Sequence, residues 1–182
     1  MKKIKLFAML VCTGFIATNS IAQTKMVGGA EMYPTKNIVE NAVNSKDHTT
    51  LVAAVKAAGL VPVLESKGPF TVFAPVNKAF DALPEGTVET LLKPENKGKL
   101  IGILTYHVVP GKLSSMDLMK MIKEGNGKAI LKTVNGQNIF ITMKGNNLMV
   151  TDENGGIASI TIADVNQSNG VIHVIDKVLI PE

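Results

Sequence analysis

The C-terminal segment from Val171 to Ile180 constrains the fold more than any other part of this sequence. Both alternating faces of the segment are mostly apolar, and the main interruptions are His173, Asp176 and Lys177. A strand that is apolar on both faces is normally covered on both sides, so the segment predicts a central strand between two layers. His173 and Asp176 then require hydrogen-bond partners, because an unpaired buried polar group costs about 1–3 kcal/mol.

The rest of the chain predicts what those two layers contain. Apolar residues at helical spacing dominate residues 37–105, and Ser114 or Ser115 can cap a further small helix. Short β-like segments separated by Asn-Gly and Gly-Asn turns dominate residues 129–180. Helices in the first half and strands in the second half favour an α+β fold with a largely antiparallel sheet.

The first 22 residues are typical of a cleaved signal peptide. A short basic start precedes an apolar run of 12 residues from Leu6 to Ala17, and small residues precede a predicted cleavage between Ala22 and Gln23. This run is much shorter than the roughly 20 residues that span a bilayer, so we expect no membrane span after cleavage. We interpret residues 23–34 as a flexible lead-in and residues 35–181 as one domain.

The composition of the mature chain excludes several classes of protein. Cys12 is the single cysteine and leaves with the leader, which removes disulfides and thiolate nucleophiles. Loss of Lys2, Lys3 and Lys5 changes the balance from 19 basic and 15 acidic residues to 16 and 15, and arginine is absent. A nearly neutral chain lacks the electrostatic footprint of a nucleic-acid-binding protein, so we expect no nucleic-acid partner.

Catalytic and metal-binding patterns are weak in this sequence. His48 lies at a polar helix start, so we do not expect it to join His107 and His173 in a three-histidine metal site. The chain has no Walker-type phosphate loop and no Gly-x-Ser-x-Gly nucleophile motif. The sequence therefore predicts a protein that is not an enzyme and that needs no cofactor or metal.

Three segments, in this order, resemble a fasciclin-like domain. They are TVFAPVNKAF at residues 71–80, ILTYHVVPG at residues 103–111 and NGVIHVIDKVLIP at residues 169–181. The resemblance implies a wedge-shaped β-sandwich, with helices packed on it from the N-terminal half. One such domain after a leader is similar to the small secreted single-domain members from bacteria.

The resemblance also implies a function and candidate residues for it. The usual role in this family is extracellular adhesion, which implies a secreted or periplasmic module that binds a cell-surface or matrix protein. Two places linked to integrin contact in animal relatives correspond here to Tyr106-His107 and Asp164-Val165. Their sequence context also supports structural roles, since apolar neighbours favour a buried Tyr-His pair and Asp164 can cap a turn.

A second hypothesis is that the protein carries an apolar small molecule. The resemblance permits this function, because a few fasciclin-like proteins bind carotenoids, and a carotenoid or lipid is the implied ligand. Met116, Met119 and Met121 lie on one predicted helix, and methionine often lines apolar grooves. The same residues also suit ordinary packing of a small helix onto the domain.

Overall fold

The computed structural model describes residues 24–182. The signal peptide predicted for residues 1–22, its cleavage between Ala22 and Gln23, and Cys12 lie outside the described residues. Within residues 24–182, no helix combines the length and the apolar character needed to cross a membrane.

Seven α-helices, most of them short, occupy the described part of the chain before residue 125. Two 3₁₀ turns, at Lys46–His48 and Pro94–Asn96, lead directly into two of these helices. The helices are α1 (Ile38–Ala42), α2 (Thr49–Ala58), α3 (Val61–Leu64), α4 (Asn77–Asp81), α5 (Thr87–Leu91), α6 (Lys97–Tyr106) and α7 (Ser115–Glu124).

Within residues 24–182, nine strands form a small hairpin and one large sheet. The large sheet has seven strands in the order β4-β3-β9-β8-β7-β6-β5, in which only β3 and β9 pair in parallel. The strands are β1 (Lys25–Val27), β2 (Ala30–Met32), β3 (Phe70–Pro75), β4 (Val108–Pro110), β5 (Lys128–Lys132), β6 (Asn138–Lys144), β7 (Asn147–Thr151), β8 (Ile157–Gln167) and β9 (Gly170–Ile175).

The large sheet curls until its two edges approach each other. Beyond the end of β5, the amide of Val134 donates to the carbonyl of Val108 in the opposite edge strand at 2.8 Å. The predicted α+β class is confirmed, and the predicted sandwich takes the form of one curled sheet with helices packed against it.

Strands β3 and β9 separate two hydrophobic cores. Because side chains alternate along a strand, Val72 and Ala74 join one core and Phe73 joins the other. The helix-side core is Val27, Met32, Ile38, Leu51, Ala54, Val55, Ala58, Leu64, Val72, Ala74, Phe80, Leu100, Leu104, Val108, Val165, Ile172 and Val174. The strand-side core is Phe73, Tyr106, Val109, Leu118, Ile122, Ala129, Leu131, Ile139, Ile141, Leu148, Val150, Ala158, Ile175 and Leu179.

The position of β9 between two cores explains its apolar sequence. All six of its residues are buried, as predicted for a central strand. It ends at Ile175, earlier than the predicted Ile180, and Asp176 beyond it remains bonded to Ser159 of β8. The Asp176 carboxylate accepts a hydrogen bond from the Ser159 amide at 2.7 Å, and the Asp176 amide donates to the Ser159 carbonyl at 3.2 Å.

The segment that we expected to be a flexible lead-in is a β-hairpin. Gly28 and Gly29, with φ of 58° and 75°, make the tight turn between β1 and β2. Val27 and Met32 from the two strands are buried in the helix-side core. Strands of three residues are too short to show an alternating pattern in sequence, which explains why the prediction was wrong.

Candidate functional site

Tyr106 lies at the end of α6 with its side chain completely buried. Its hydroxyl donates to the carbonyl of Asn138 at 2.8 Å and accepts from the amide of Glu153 at 3.1 Å. Burial raises the pKa of the phenol, so the group stays protonated at neutral pH. The hydroxyl is engaged as both donor and acceptor inside the protein, and no surface of the ring is open to a partner.

His107, directly after α6, is also buried and fully hydrogen-bonded. Its Nδ1 lies 2.8 Å from the carbonyl of Ile103, which can only accept, so Nδ1 carries the proton. Its Nε2 accepts from the amide of Leu179 at 2.9 Å. Burial lowers the pKa of His107 to about 4, which keeps the ring neutral. The side chain joins α6 to the C-terminal segment.

Asp164 and Val165 lie within β8, although the sequence indicated that Asp164 could cap a turn. The strand continues because the register shifts around them and Asp164 takes a left-handed backbone conformation, with φ of 56°. Val165 is buried in the helix-side core. The Asp164 carboxylate accepts hydrogen bonds from the Ser115 amide at 2.6 Å and from the Ser115 hydroxyl.

This contact places a carboxylate at the first residue of α7, where the free amides and the helix dipole favour negative charge. The Asp164 amide in turn donates to Nδ1 of His173 at 3.3 Å, and Nε2 of His173 donates to the Leu113 carbonyl at 2.9 Å. Burial lowers the pKa of His173, so its ring is neutral. The resulting network connects β8, β9 and the start of α7.

The four residues implied by the resemblance therefore do not form one exposed site. Tyr106, His107 and Val165 are buried. The carboxylate of the half-buried Asp164 already accepts hydrogen bonds from Ser115. Each of these side chains stabilises the junction between elements that are distant in sequence.

The three methionines of α7 divide between solvent and core. Met116 is 75% exposed, whereas Met119 and Met121 are half-buried and pack against the strand-side core. Neither of the two cavities described below is lined by any of the three. The capping box between Ser114 and Asp117 begins the helix, as the predicted serine cap indicated.

The outward face of strands β5 to β8 carries an exposed apolar row that sequence analysis did not select. The pairing register aligns Ile130 with Phe140, Phe140 with Thr151, and Thr151 with Ile157 across four neighbouring strands. Ile130 is 58% exposed and Ile157 is 49% exposed. The alternation of residues along β5 and β6 indicates which side chains face outward. Only the pairing register shows that these side chains lie next to each other across the strands.

Three lysines lie on the strands that form this row. Strands β5, β6 and β7 contain Lys128, Lys132 and Lys144 and no acidic residue, and all three lysines are exposed. Nζ of Lys128 lies 3.9 Å from the centroid of the Phe140 ring, in a cation–π contact. The face thus combines apolar side chains with basic ones. We call the outward face formed by these lysines, Ile130, Phe140, Thr151 and Ile157 the basic-apolar face.

Two cavities formed by the described residues lie in the helix-side core. The first, of about 100 Å³, lies between the β1–β2 hairpin, α1–α3 and strands β3 and β9, and includes His48 in its lining. The second, of about 150 Å³, lies between α4, α5, α6 and the C-terminal segment. Their linings are mainly aliphatic, and His107 touches both while keeping both ring nitrogens bonded.

Together these features define a class of protein: an α+β domain with a curled mixed sheet, whose buried polar side chains hold elements together. The chain belongs to the fasciclin-domain family, because the family described as Fasciclin domain matches residues 46–181. The match begins after the β1–β2 hairpin and α1.

Individual relatives agree with this assignment. Protein sll1483 of Synechocystis is 42% identical and covers 97% of this chain and 96% of that protein. Immunogenic protein MPB70 of Mycobacterium bovis is 31% identical, with 93% of this chain and 80% of that protein covered. A solved FAS1 domain pair from the insect cell adhesion molecule Fasciclin I matches with a TM-score of 0.71 at 20% identity. It covers 79% of this chain and 50% of that one, which supports the fold.

Proposed function

We propose that the protein is an exported, non-catalytic surface-interaction module that binds a protein partner through its basic-apolar face. Export rests on the leader predicted from residues 1–22. Interaction is supported by membership in a family whose fold is shared with an insect cell adhesion molecule. The observation that carries the proposal is the exposed row across β5–β8, because contiguous apolar surface on a soluble domain often marks a binding site.

The charges of this face select the kind of partner. Three lysines and no acidic residue on β5–β7 favour a partner with an acidic rim around an apolar patch. The partner-binding candidates Tyr106, His107, Asp164 and Val165 contribute indirectly in this proposal. They hold α6, α7 and β8 in place, and do not themselves touch the partner.

Site-specific photocrosslinking tests this proposal. A photoreactive phenylalanine analogue is introduced at Ile130 or Ile157, and at Val43 as a control on the opposite layer with similar exposure, 48%. We expect crosslinks to a protein of the native envelope or surroundings from positions 130 and 157 and none from position 43. Mass spectrometry of the adducts should find an acidic peptide at the crosslinked site.

A matched pair of variants measures how much the face contributes to binding affinity. Ile130→Ser combined with Ile157→Ser should weaken binding to the crosslinked partner at least tenfold, whereas Val43→Ser should leave it unchanged. Raising the salt concentration should also weaken binding, because exposed lysines act through screened charge. Equal crosslinking from position 43, or binding that survives the double substitution, would contradict the proposal.

The sizes of the two cavities limit the alternative hypothesis that the protein carries an apolar molecule. Volumes of about 100 and 150 Å³ are far smaller than a carotenoid or a whole lipid. A carotenoid carrier would therefore need an opening of the helix side, and its isolation from the native host with a coloured compound bound would favour it over our proposal.

A further inference from the structure

Four asparagines of the chain are directly followed by glycine: Asn126, Asn135, Asn154 and Asn169. At such a step, the backbone nitrogen of the following residue can attack the side-chain carbonyl carbon of the asparagine. Glycine hinders this attack least, because it has no side chain and gives the backbone its widest freedom. The four steps are equivalent in sequence, so only the fold can make one of them more reactive than the others.

Hydrogen bonds hold the side-chain amides of three of these asparagines in place. Asn169 is buried, and its side-chain amide bonds to the backbone of three other residues. Nδ2 of Asn135 donates to the Gly102 carbonyl at 3.0 Å, and Nδ2 of Asn154 donates to the Ile180 carbonyl at 2.9 Å. Because the side chain must rotate towards the following amide to react, each of these steps first has to break its hydrogen bonds.

Asn126 differs from the other three in the freedom of its side chain. It is exposed, and its side-chain amide makes no hydrogen bond within residues 24–182. It lies in the turn between α7 and β5, directly after the C-cap residue Gly125, with a left-handed φ of 54° that asparagine tolerates well. The side chain of Asn126 can therefore rotate without the loss of a hydrogen bond.

The attacking amides are bonded at the exposed steps as well, so the reaction also needs a local opening of the backbone. The amides of Gly127, Gly136 and Gly155 donate to backbone carbonyls at 2.8, 3.0 and 3.2 Å. The Gly127 bond is made to the Ile122 carbonyl at the end of α7, where residues 123–125 are all exposed. Helix ends fray readily, so fraying of this turn releases the Gly127 amide at a low cost.

We propose that Asn126 is a site of spontaneous deamidation in the folded protein, with water as the co-reactant. The backbone nitrogen of Gly127 forms a bond to the side-chain carbonyl carbon of Asn126, and the bond from that carbon to Nδ2 breaks. The proton of the Gly127 amide is transferred to the leaving nitrogen, which departs as ammonia. Water then opens the resulting succinimide ring at either of its two carbonyls. The products are an aspartate and an isoaspartate at position 126.

This modification changes the junction between α7 and β5. It places a negative charge just beyond the C-terminus of α7, where the helix dipole favours positive charge. The isoaspartate product also adds one atom to the backbone between α7 and Lys128, the first residue of β5. We therefore expect the modified protein to have a looser last turn of α7.

Peptide mapping by mass spectrometry, after incubation of the folded protein at mildly alkaline pH, tests the proposal directly. We expect aspartate and isoaspartate to accumulate at position 126 at least fivefold faster than at positions 135 and 154, and most slowly at position 169. The same incubation in concentrated urea is the control. Without the folded structure, the four rates should agree to within about a factor of two, because all four asparagines precede glycine.

Variants assign the product and its effect on the fold. Asn126→Gln should remove most of the ammonia released early in the incubation, because glutamine would have to close a larger ring, whereas Asn154→Gln should leave that early release unchanged. Asn126→Asp reproduces the charge of one product. It should accelerate amide exchange in the last turn of α7 and leave exchange in β9 unchanged.

Two results with the unmodified sequence would overturn the proposal. One is conversion in the folded protein that is as fast at position 154 or 135 as at position 126. The other is the same order of rates in urea as in the folded protein, because the order would then come from the local sequence and not from the fold. Neither result depends on the partner of the basic-apolar face, so failure here leaves the proposed surface interaction standing.

Discussion

The two cores of this domain are filled to different degrees. On the strand side, His173 stacks against Phe73 with ring centroids 5.6 Å apart, and both of its nitrogens are bonded. On the helix side, Nε2 of His48 completes no hydrogen bond within residues 24–182, although the Ala74 carbonyl is near the ring, and both described cavities are found. The curled sheet fixes its side chains by a regular register, whereas many short helices and a hairpin meet on the helix side without one. We therefore expect the side with regular strand pairing to be the more tightly packed of the two.

Identical substitutions of the two histidines test this comparison most strongly. His173→Leu leaves the Leu113 carbonyl and the Asp164 amide without partners, and we expect it to lower the free energy of unfolding by about 4 kcal/mol. His48→Leu leaves only the Ser45 hydroxyl unpaired and removes an unsatisfied nitrogen, so about 1 kcal/mol or less is expected. Urea unfolding at pH 7 measures the free energy of unfolding of both variants. Equal losses of stability would contradict the difference between the two cores.

Acid should lower the stability of the protein through protonation of His107, which lies between the two cores. The pKa of His107 is about 4 in the folded protein and about 6.5 in the unfolded chain, so between these values the unfolded chain binds the extra proton. Its contribution is complete above pH 6.5 and is lost as the pH falls towards 4, by about 3 kcal/mol. Urea unfolding from pH 7 to pH 4.5 follows the loss. The variant His107→Leu should show a flatter profile, and an unchanged slope would assign the effect to other groups.

The connection of α7 to the sheet depends on Asp164. Asp164→Ala removes both hydrogen bonds to Ser115 and leaves a non-glycine residue at positive φ, so we expect a loss of about 2–3 kcal/mol. Asp164→Asn tolerates this backbone conformation and keeps one acceptor, so about half that loss is expected. Amide exchange in the first turn of α7 should accelerate in parallel. Unchanged protection there would show that Asp164 does not hold the helix.

Replacing one alanine by valine in each core should give the smallest changes in the free energy of unfolding, with opposite signs. Ala42 lines the first cavity, so Ala42→Val should raise stability by about 0.5 kcal/mol. Ala158 is completely buried in the strand-side core, where Ala158→Val should cost about 1–2 kcal/mol by overpacking. Thermal unfolding of the two variants provides the measurement. A loss in both would mean that the helix side has no usable space.

The sequence predicted those features that depend on local pattern. The two apolar faces of β9 predicted a central strand, and the expectation that His173 and Asp176 are hydrogen-bonded is confirmed. Residues 169–181 and the two other motifs predicted the family, and hence the α+β fold.

Features formed by distant segments could not be predicted in the same way. The Asp164 carboxylate meets Ser115, 49 residues away, and nothing in the sequence around Asp164 identifies that donor. Aspartate is typical of turns, yet β8 continues through Asp164, which takes a left-handed backbone conformation inside the strand. The cavity beside His48 results from imperfect filling between several elements, which has no periodic signature in the sequence.

The parallel pairing of β3 with β9 has a consequence for how the chain acquires its structure. Phe73 lies opposite His173, a separation of 100 residues along the chain, and β9 contributes to both cores. Neither core can close before nearly the whole polypeptide has been synthesised, and such long-range closure is slow. The nascent chain therefore remains open until β9 emerges, a property that would suit the export proposed above.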